Sequence, residues 1–405
     1  MSAVSPKPCL GGGVHRMAQS PTACRIPPEI EAMQKKRGRA AKPLAILALA
    51  ASFVFEGLLA RTAVAEETSG AVYVMTNQST NSVMVYARSS DGTLSFSGAF
   101  PTGGAGVGSG PDPLGSQNSL VLGWHKRLLL AVNAGSNDVS LFGVDGLKLR
   151  LLDRQSSQGQ MPVSIAVRGE LVYVLNAGGT PNISGFIIDP LGDHLVQLPG
   201  STRPLAGGPG SAPAQVGFST DGEVLMVTEK NTNLIDTWTV MDDGYAMHRR
   251  TTESNGATPF GFTFTHRNTA IVTEATPSAM SSYDVDDDGQ LGLLTGTATD
   301  GGKANCWVVV TQDGRVAFTT NTASGNISSY SVTRKGFLSL LDPAAGVTGP
   351  GTAPIDEALS THSQFLYVRD GVKGLVDGFR VENGTLTPVG SAGGLPPGAQ
   401  GVAAR

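Results

Sequence analysis

The sequence predicts an all-β fold, a seven-bladed β-propeller over residues 66–405, and three recurring features predict it. An apolar residue is followed three positions later by an aromatic seven times: Val83/Tyr86, Val139/Phe142, Ile183/Phe186, Ile235/Trp238, Met280/Tyr283, Ile327/Tyr330 and Val376/Phe379. The aromatics stand 44 to 56 residues apart, the spacing of four-stranded blades. A tight-turn pair follows six of them, at Asp91-Gly92, Asp145-Gly146, Asp243-Gly244, Asp288-Gly289, Lys335-Gly336 and Asn383-Gly384. Such pairs supply the positive φ of a short hairpin. Only the third unit departs, with Pro190, Leu191 and Gly192 after Asp189.

The remaining elements of each unit follow in order. Ahead of each aromatic lies a β-rich second strand such as VYVMTN, LVYVLN, VLMVTE, VAFTTN or FLYVRD. Ahead of that lies an inner strand, starting at Ser119, Val163, Gln215, Phe260, Cys306 and Ile355. The N-terminal unit near Val72 has none of its own, so the C-terminal QGVAA from Gln400 is expected to supply it, joining the last strand to the first blade and removing free sheet edges. Gly- and Pro-rich runs, from Pro101 and from Pro204, read as loops between blades.

Residues 1–65 stand apart from the repeat. After Met33 come Lys35, Lys36, Arg37, Arg39 and Lys42, then PLAILALAASFVF, then TAVA before Glu66. A basic stretch, a short apolar stretch and an A-x-A ending form a signal peptide over 33–65 with cleavage after Ala65. The apolar run is too short for a membrane span and Glu56 interrupts it, so no stable span is expected after processing and the protein is expected to be secreted or periplasmic. Residues 1–32 read as an unstructured extension ahead of the translation start. They hold Cys9 and Cys24, which leaves Cys306 alone in the repeat, so no disulfide framework holds the fold. Residues 1–65 also carry nine of the 29 Lys+Arg and three of the 33 Asp+Glu, leaving 20 positive against 30 negative side chains. An acidic chain without basic clusters is unsuited to nucleic acid, and a monomer is expected.

The seven second strands end in one polar column: Asn77, Asn133, Asn176, Glu229, Glu274, Asn321 and Asp370. Asparagines and acids at strand ends cap turns. Two glutamates in adjacent blades also suit acid–base work, since neighbouring carboxylates can share one proton. Glu229 and Glu274 are therefore the candidate catalytic residues. Gln215, Lys230, Asn133, Asn176, Asn321 and Arg369 are the candidate substrate-binding residues. No cofactor is expected. Asp284, Asp286, Asp288 and Gly289 spell the start of a calcium loop, but Thr295 stands where a bidentate glutamate belongs, and the same Asp-Gly recurs as a turn. No G-x-S-x-G elbow, zinc spacing or phosphate loop occurs, and Cys306 beside Trp307 reads as core.

Through APAQVGFSTDGEVLMVTEKNTNLIDTW, GATPFGFTF, NCWVVVTQDGRVAFTTNTASGNISSY and ALSTHSQFLYV, the chain resembles the lactonase family of seven-bladed propellers, which includes 6-phosphogluconolactonase and carboxy-cis,cis-muconate cyclase. The resemblance implies a small-molecule lactone or carbohydrate-like ligand and a base at Glu229, which matches the family's strand-ending glutamate. It also marks a departure: the family's Arg-His pair is Ala214-Gln215 here. Glutamine can donate a hydrogen bond but cannot transfer a proton as general acid or base. The residues thus allow two functions. One is an exported lactonase-like hydrolase in which Glu229, helped by Glu274, activates water. The other is a non-catalytic extracytoplasmic propeller binding a glycan, peptide or envelope partner.

Overall fold

A computed structural model describes residues 68–123 and 125–405. The signal segment and the extension before it lie outside these residues. Seven antiparallel sheets make seven blades, each of four strands in order from the axis outward. Among the described residues the single helical element is a 3-10 turn, Thr361–Ser363. Among the described residues no helix is long and apolar enough to cross a membrane.

The fourth blade shows the plan, with strands Pro213–Phe218, Val224–Glu229, Leu234–Val240 and Ala246–Glu253. Second strands are the most apolar and are buried along their whole length, as in Val224–Glu229 and Phe365–Asp370. Outer strands face solvent, as in Ala246–Glu253, where only Ala246 is buried. The third blade, where the tight-turn pair is missing, has a broken outer edge of two short strands, Leu195–Gln197 and Arg203–Pro204.

All seven repeated aromatics are buried. Several hold neighbouring blades together, because a buried tyrosine hydroxyl needs a partner and finds it on a nearby backbone. Tyr86 donates to the Gly393 carbonyl at 3.0 Å and Tyr330 to that of Ala298 at 3.0 Å. Tyrosines of the second strands reach forward instead: Tyr173 donates to Gly244 and Tyr367 to Gly92, both at 2.8 Å, in the next blade's hairpin turn.

In the first blade the inner strand is Val402–Ala404, paired antiparallel with Thr68–Met75 in the register Val72↔Ala404, Tyr73↔Ala403 and Val74↔Val402. The ends of the chain's β-structure thus share one sheet.

The linkers run from the outer strand of one blade to the inner strand of the next and lie with each blade's second turn on one face of the ring, here the linker face. The first and third turns of each blade lie on the other, the turn face. The linker between blades one and two, residues 102–119, is long and rich in Gly and Pro, and its end lies in the channel mouth on the linker face. Ser116 donates to the Val163 carbonyl and accepts from Trp307 Nε1, and Gln117 exchanges two hydrogen bonds with the Val308 backbone. Blade two is thereby tied across the axis to blades three and six.

Candidate functional site

The polar column lies where the second strands reach the linker face, and all seven of its side chains are fully buried. Its main contact is a glycine of the preceding linker. Glu229 accepts the Gly207 N–H at 3.0 and 3.2 Å on its two oxygens and the Thr232 hydroxyl at 2.7 Å. Glu274 accepts the Gly256 N–H at 2.8 Å and the Ser281 hydroxyl. Asn133, Asn176 and Asn321 lie against Gly104, Gly159 and Gly302, so close that a Cβ on any of these glycines would fall 2.4 to 2.7 Å from the asparagine. The column is therefore a set of latches, each fixing one linker over its blade.

This placement separates the expected site residues. No hydrogen bond joins Glu229 and Glu274 among the described residues. Burial pushes the Glu229 carboxyl up, and the acid that adds to this is Asp236 in the next strand of its own blade. A carboxylate pair exists, but it is Glu229 with Asp236, and both hold the linker: Asp236 accepts the Ala206 N–H at 2.8 Å. Sequence spacing did not reveal it, since the two acids belong to neighbouring strands, Glu229 opposite Leu234 and Asp236 opposite Val227, rather than to one repeated column.

The expected binding residues are also committed elsewhere, Lys230 excepted. Asn133 donates to Asp138 and Ser140 and accepts from Asn81 of blade one, Asn176 donates to Ser157 and Asn182, and Asn321 donates to Ser328 and accepts from Ser278 of blade five, so their amides serve the framework. Gln215 donates to the Phe262 carbonyl at 2.8 Å and accepts its N–H at 2.7 Å, clamping blade four to blade five. Arg369 is fully buried between blades seven and one, where its guanidinium has no hydrogen-bond partner and burial pushes its pKa down to about 10. The Asp284–Gly289 run is a hairpin in which Asp288 pairs with Arg250.

Lys230 alone stands at the mouth. Its ammonium lies 4.8 Å from the centre of the Phe260 ring and donates to the Gly115 carbonyl. Asp112, one turn earlier in the same linker, accepts the Gly115 N–H at 3.0 Å. Both side chains thus hold the backbone of Gly115; burial lowers Lys230 and raises Asp112, while each one's charge opposes the other's shift. Phe260 and Trp307 form an aromatic wall, with ring centres 4.7 Å apart. Cys306 is buried beside them, its thiol pushed up to about 12 mainly by burial, which makes it a poor nucleophile. Asp112 escaped the sequence reading because it lies in a run without periodicity. Only its flanking prolines, Pro111 and Pro113, mark it as a fixed loop acid.

The sequence of residues 269–399, from the second strand of blade five to the last linker, matches the family model described as "Lactonase, 7-bladed beta-propeller". No curated protein matches the chain. Among solved structures, a periplasmic gluconolactonase of Pseudomonas aeruginosa aligns with 82% of this chain and 98% of its own, at 15% identity and a TM-score of 0.63. A Bacteroides uniformis protein provisionally assigned as a 6-phosphogluconolactonase aligns over 83% and 99%, at 18% identity and 0.62. A Lactobacillus plantarum protein aligns over 83% and 99%, at 17% identity and 0.66. These likenesses are of fold, and the sequence match to the family model covers the last blades. The chain is a seven-bladed β-propeller whose residues 269–399 are similar to the lactonase family of such propellers.

Proposed function

We propose that this protein is an exported hydrolase of small-molecule lactones whose reaction centre is the Asp112–Lys230 pair at the channel mouth. The carrying observation is that Asp112 and Lys230 both bind the backbone of Gly115, one its N–H and the other its carbonyl, beside an aromatic wall, and that burial moves both toward neutrality. The family description and the gluconolactonase among its structural relatives support the lactone class.

In this reading Asp112 takes a proton from water as the water oxygen adds to the lactone carbonyl carbon. Lys230 stabilises the resulting oxyanion with the ammonium that otherwise serves Gly115. The ring C–O bond then breaks, its electron pair stays on the ring oxygen, and that oxygen recovers the proton from Asp112. The product is a hydroxy acid, which ionises to the carboxylate. Glu229 and Glu274 enter as holders of the linkers.

Aliphatic, aromatic and sugar lactones should be assayed with wild type and variants. Lys230→Gln is expected to lower kcat by about 10²-fold, as does loss of one oxyanion donor, and Asp112→Asn by a similar factor. The rate should rise with pH through a value above the ordinary carboxylate range, because Asp112 must be ionised to act as base and its pKa is raised. Turnover unchanged in both variants would remove the mechanism. Absence of hydrolysis on every lactone would favour a non-catalytic mouth that binds a glycan, peptide or envelope partner. The hydrogen bonds of Ser116 and Gln117, which fill the mouth, suit that second reading.

Export rests on the leader-like segment 33–65. Protein recovered outside the cytoplasm is expected to begin at Glu66, and a sequenced N-terminus ahead of Met33 would exclude this processing.

A further inference from the structure

The linker of residues 102–119 has no β-ladder where it carries Asp112 and Gly115, so its path there is fixed by groups outside it. Gln400 is one of them. Its Oε1 accepts the Leu114 N–H at 3.0 Å and its Nε2 donates to the Ser116 carbonyl at 3.1 Å, the residues on either side of Gly115. Gly115 is in turn the residue whose N–H Asp112 accepts at 3.0 Å and whose carbonyl takes the Lys230 ammonium. This short stretch is thus gripped twice, by the acid and the base at its middle and by one amide at its ends.

Gln400 is itself held. Its side chain is fully buried, and its backbone N–H donates at 3.0 Å to the carbonyl of Met75, the last residue of the strand that pairs with Val402–Ala404. Leu114 is packed into the largest core cluster, and the Ser116 carbonyl also accepts Trp307 Nε1 at 2.9 Å, so one oxygen joins the linker to the aromatic wall. A clamp fixed at its own base can hold reacting groups to the fine placement that catalysis needs.

A buried glutamine in this ring can be framework alone. Gln117 and Gln215 show that pattern: each exchanges two hydrogen bonds with the N–H and carbonyl of a single inner-strand residue, Val308 or Phe262, and so locks one strand. Gln400 differs, because its two bonds go to different residues and the one between them carries both members of the pair. It also bears on the Asp112 carboxyl. Burial raises that group, while Lys230, the Gly115 N–H and the Gln400 side chain all favour its ionised form. Among the described residues its charge also reaches Cys306 of blade six and Asp356 of blade seven.

We propose that Gln400 is a positioning residue of the mouth: it fixes Gly115, and through Gly115 the placement of Asp112 and Lys230 relative to each other. The proposal rests on the reading of that pair as the reaction centre. It makes the site depend on the segment that closes the ring, so that the mouth is complete only once Gln400 is in place.

Gln400→Met, which keeps the bulk and loses both hydrogen bonds, is compared with wild type in the full chain on δ-valerolactone, dihydrocoumarin and glucono-δ-lactone. A fall in kcat of about tenfold is expected, with KM changed by less than about twofold. The acid limb of the rate profile should move to higher pH, because Asp112 must be ionised to act and has lost a group that favours that form. In an Asp112→Asn background the same change should add little, since the residue it positions is already gone. Gln400→Glu keeps an acceptor for the Leu114 N–H but adds an acid, so it should move the limb in the same direction, and it serves if Gln400→Met does not fold. Lower thermal stability with an unmoved limb, or a kcat loss that adds in full to that of Asp112→Asn, would overturn the proposal. If wild type opens none of the three lactones, the pair is no lactone centre, and NMR titration of the Asp112 carboxyl decides the part of Gln400. A higher midpoint in Gln400→Met than in wild type supports it, and an equal one overturns it.

Discussion

Deleting Gly398–Arg405 is expected to lower the thermal midpoint by roughly 10 °C or more, corresponding to a loss of about 5 kcal/mol in a domain of this size. The deletion removes the strand paired with Val72, Tyr73 and Val74, all of which are fully buried. It also removes Gln400, whose amide accepts the Leu114 N–H at 3.0 Å and donates to the Ser116 carbonyl at 3.1 Å, and so it frees the linker that fills the mouth. The Gly398 carbonyl goes too, leaving the buried Asn77 amide without its 3.1 Å acceptor. Three independent losses fall on one seam, and the exposed edge of the first blade would invite pairing between molecules. Differential scanning calorimetry of the two forms is the direct measurement, and an equal midpoint would show that the last strand bears no part of the ring's stability.

The second large effect is expected at the linker glycines. A Cβ on Gly207 would fall 2.0 Å from Glu229 Oε2 and 2.7 Å from a Thr232 methyl, and one on Gly256 would fall 2.0 Å from Glu274 Oε2. Neither glutamate can retreat, because each is enclosed and already tied to the backbone of that same glycine. Gly207→Ala and Gly256→Ala should each cost about 3 kcal/mol, the cost of overpacking plus a broken buried hydrogen bond. Gly292→Ala, where the nearest atoms stand 3.8 Å away, serves as the control and should cost little. Glu229→Gln should destabilise by about 1–3 kcal/mol, because the amide offers a donor where a buried acceptor is needed. Denaturant midpoints test all four. A neutral Gly207→Ala would mean that the latch has room to give.

The contrast between these residues and the mouth shows what the sequence could reveal. The blade plan was legible because it is local and repeated: an aromatic such as Trp238 fixes a third strand, and Asp243-Gly244 fixes the turn after it, whatever the rest of the ring does. The polar column was legible as a column for the same reason. Its purpose was not, since the partner of Glu229 is Gly207, a residue in a linker whose path follows no periodic rule. Asn133 and Gln215 looked like ligand donors because polarity near an axis suggests a site, yet buried polar groups must first satisfy one another. The Asp112–Lys230 meeting was the least legible, because it joins the linker before blade two to a turn of blade four. Nothing in the spacing of 118 residues between them sets their distance in space.

The pairing of Val402–Ala404 with Thr68–Met75 also sets an order of events. The two partners in this sheet are separated by more than 320 residues of sequence, so their contact carries the greatest loop-closure cost in the molecule. Blades two to seven each combine strands that are adjacent in the chain and can form as soon as they are synthesised. The first blade, although made first, must wait as three strands with an open inner edge until the final strand arrives. Closure of the ring is therefore governed by the arrival of Val402–Ala404, and until then the waiting edge at Val72–Val74 is where a nascent chain is most exposed to pairing with a neighbour.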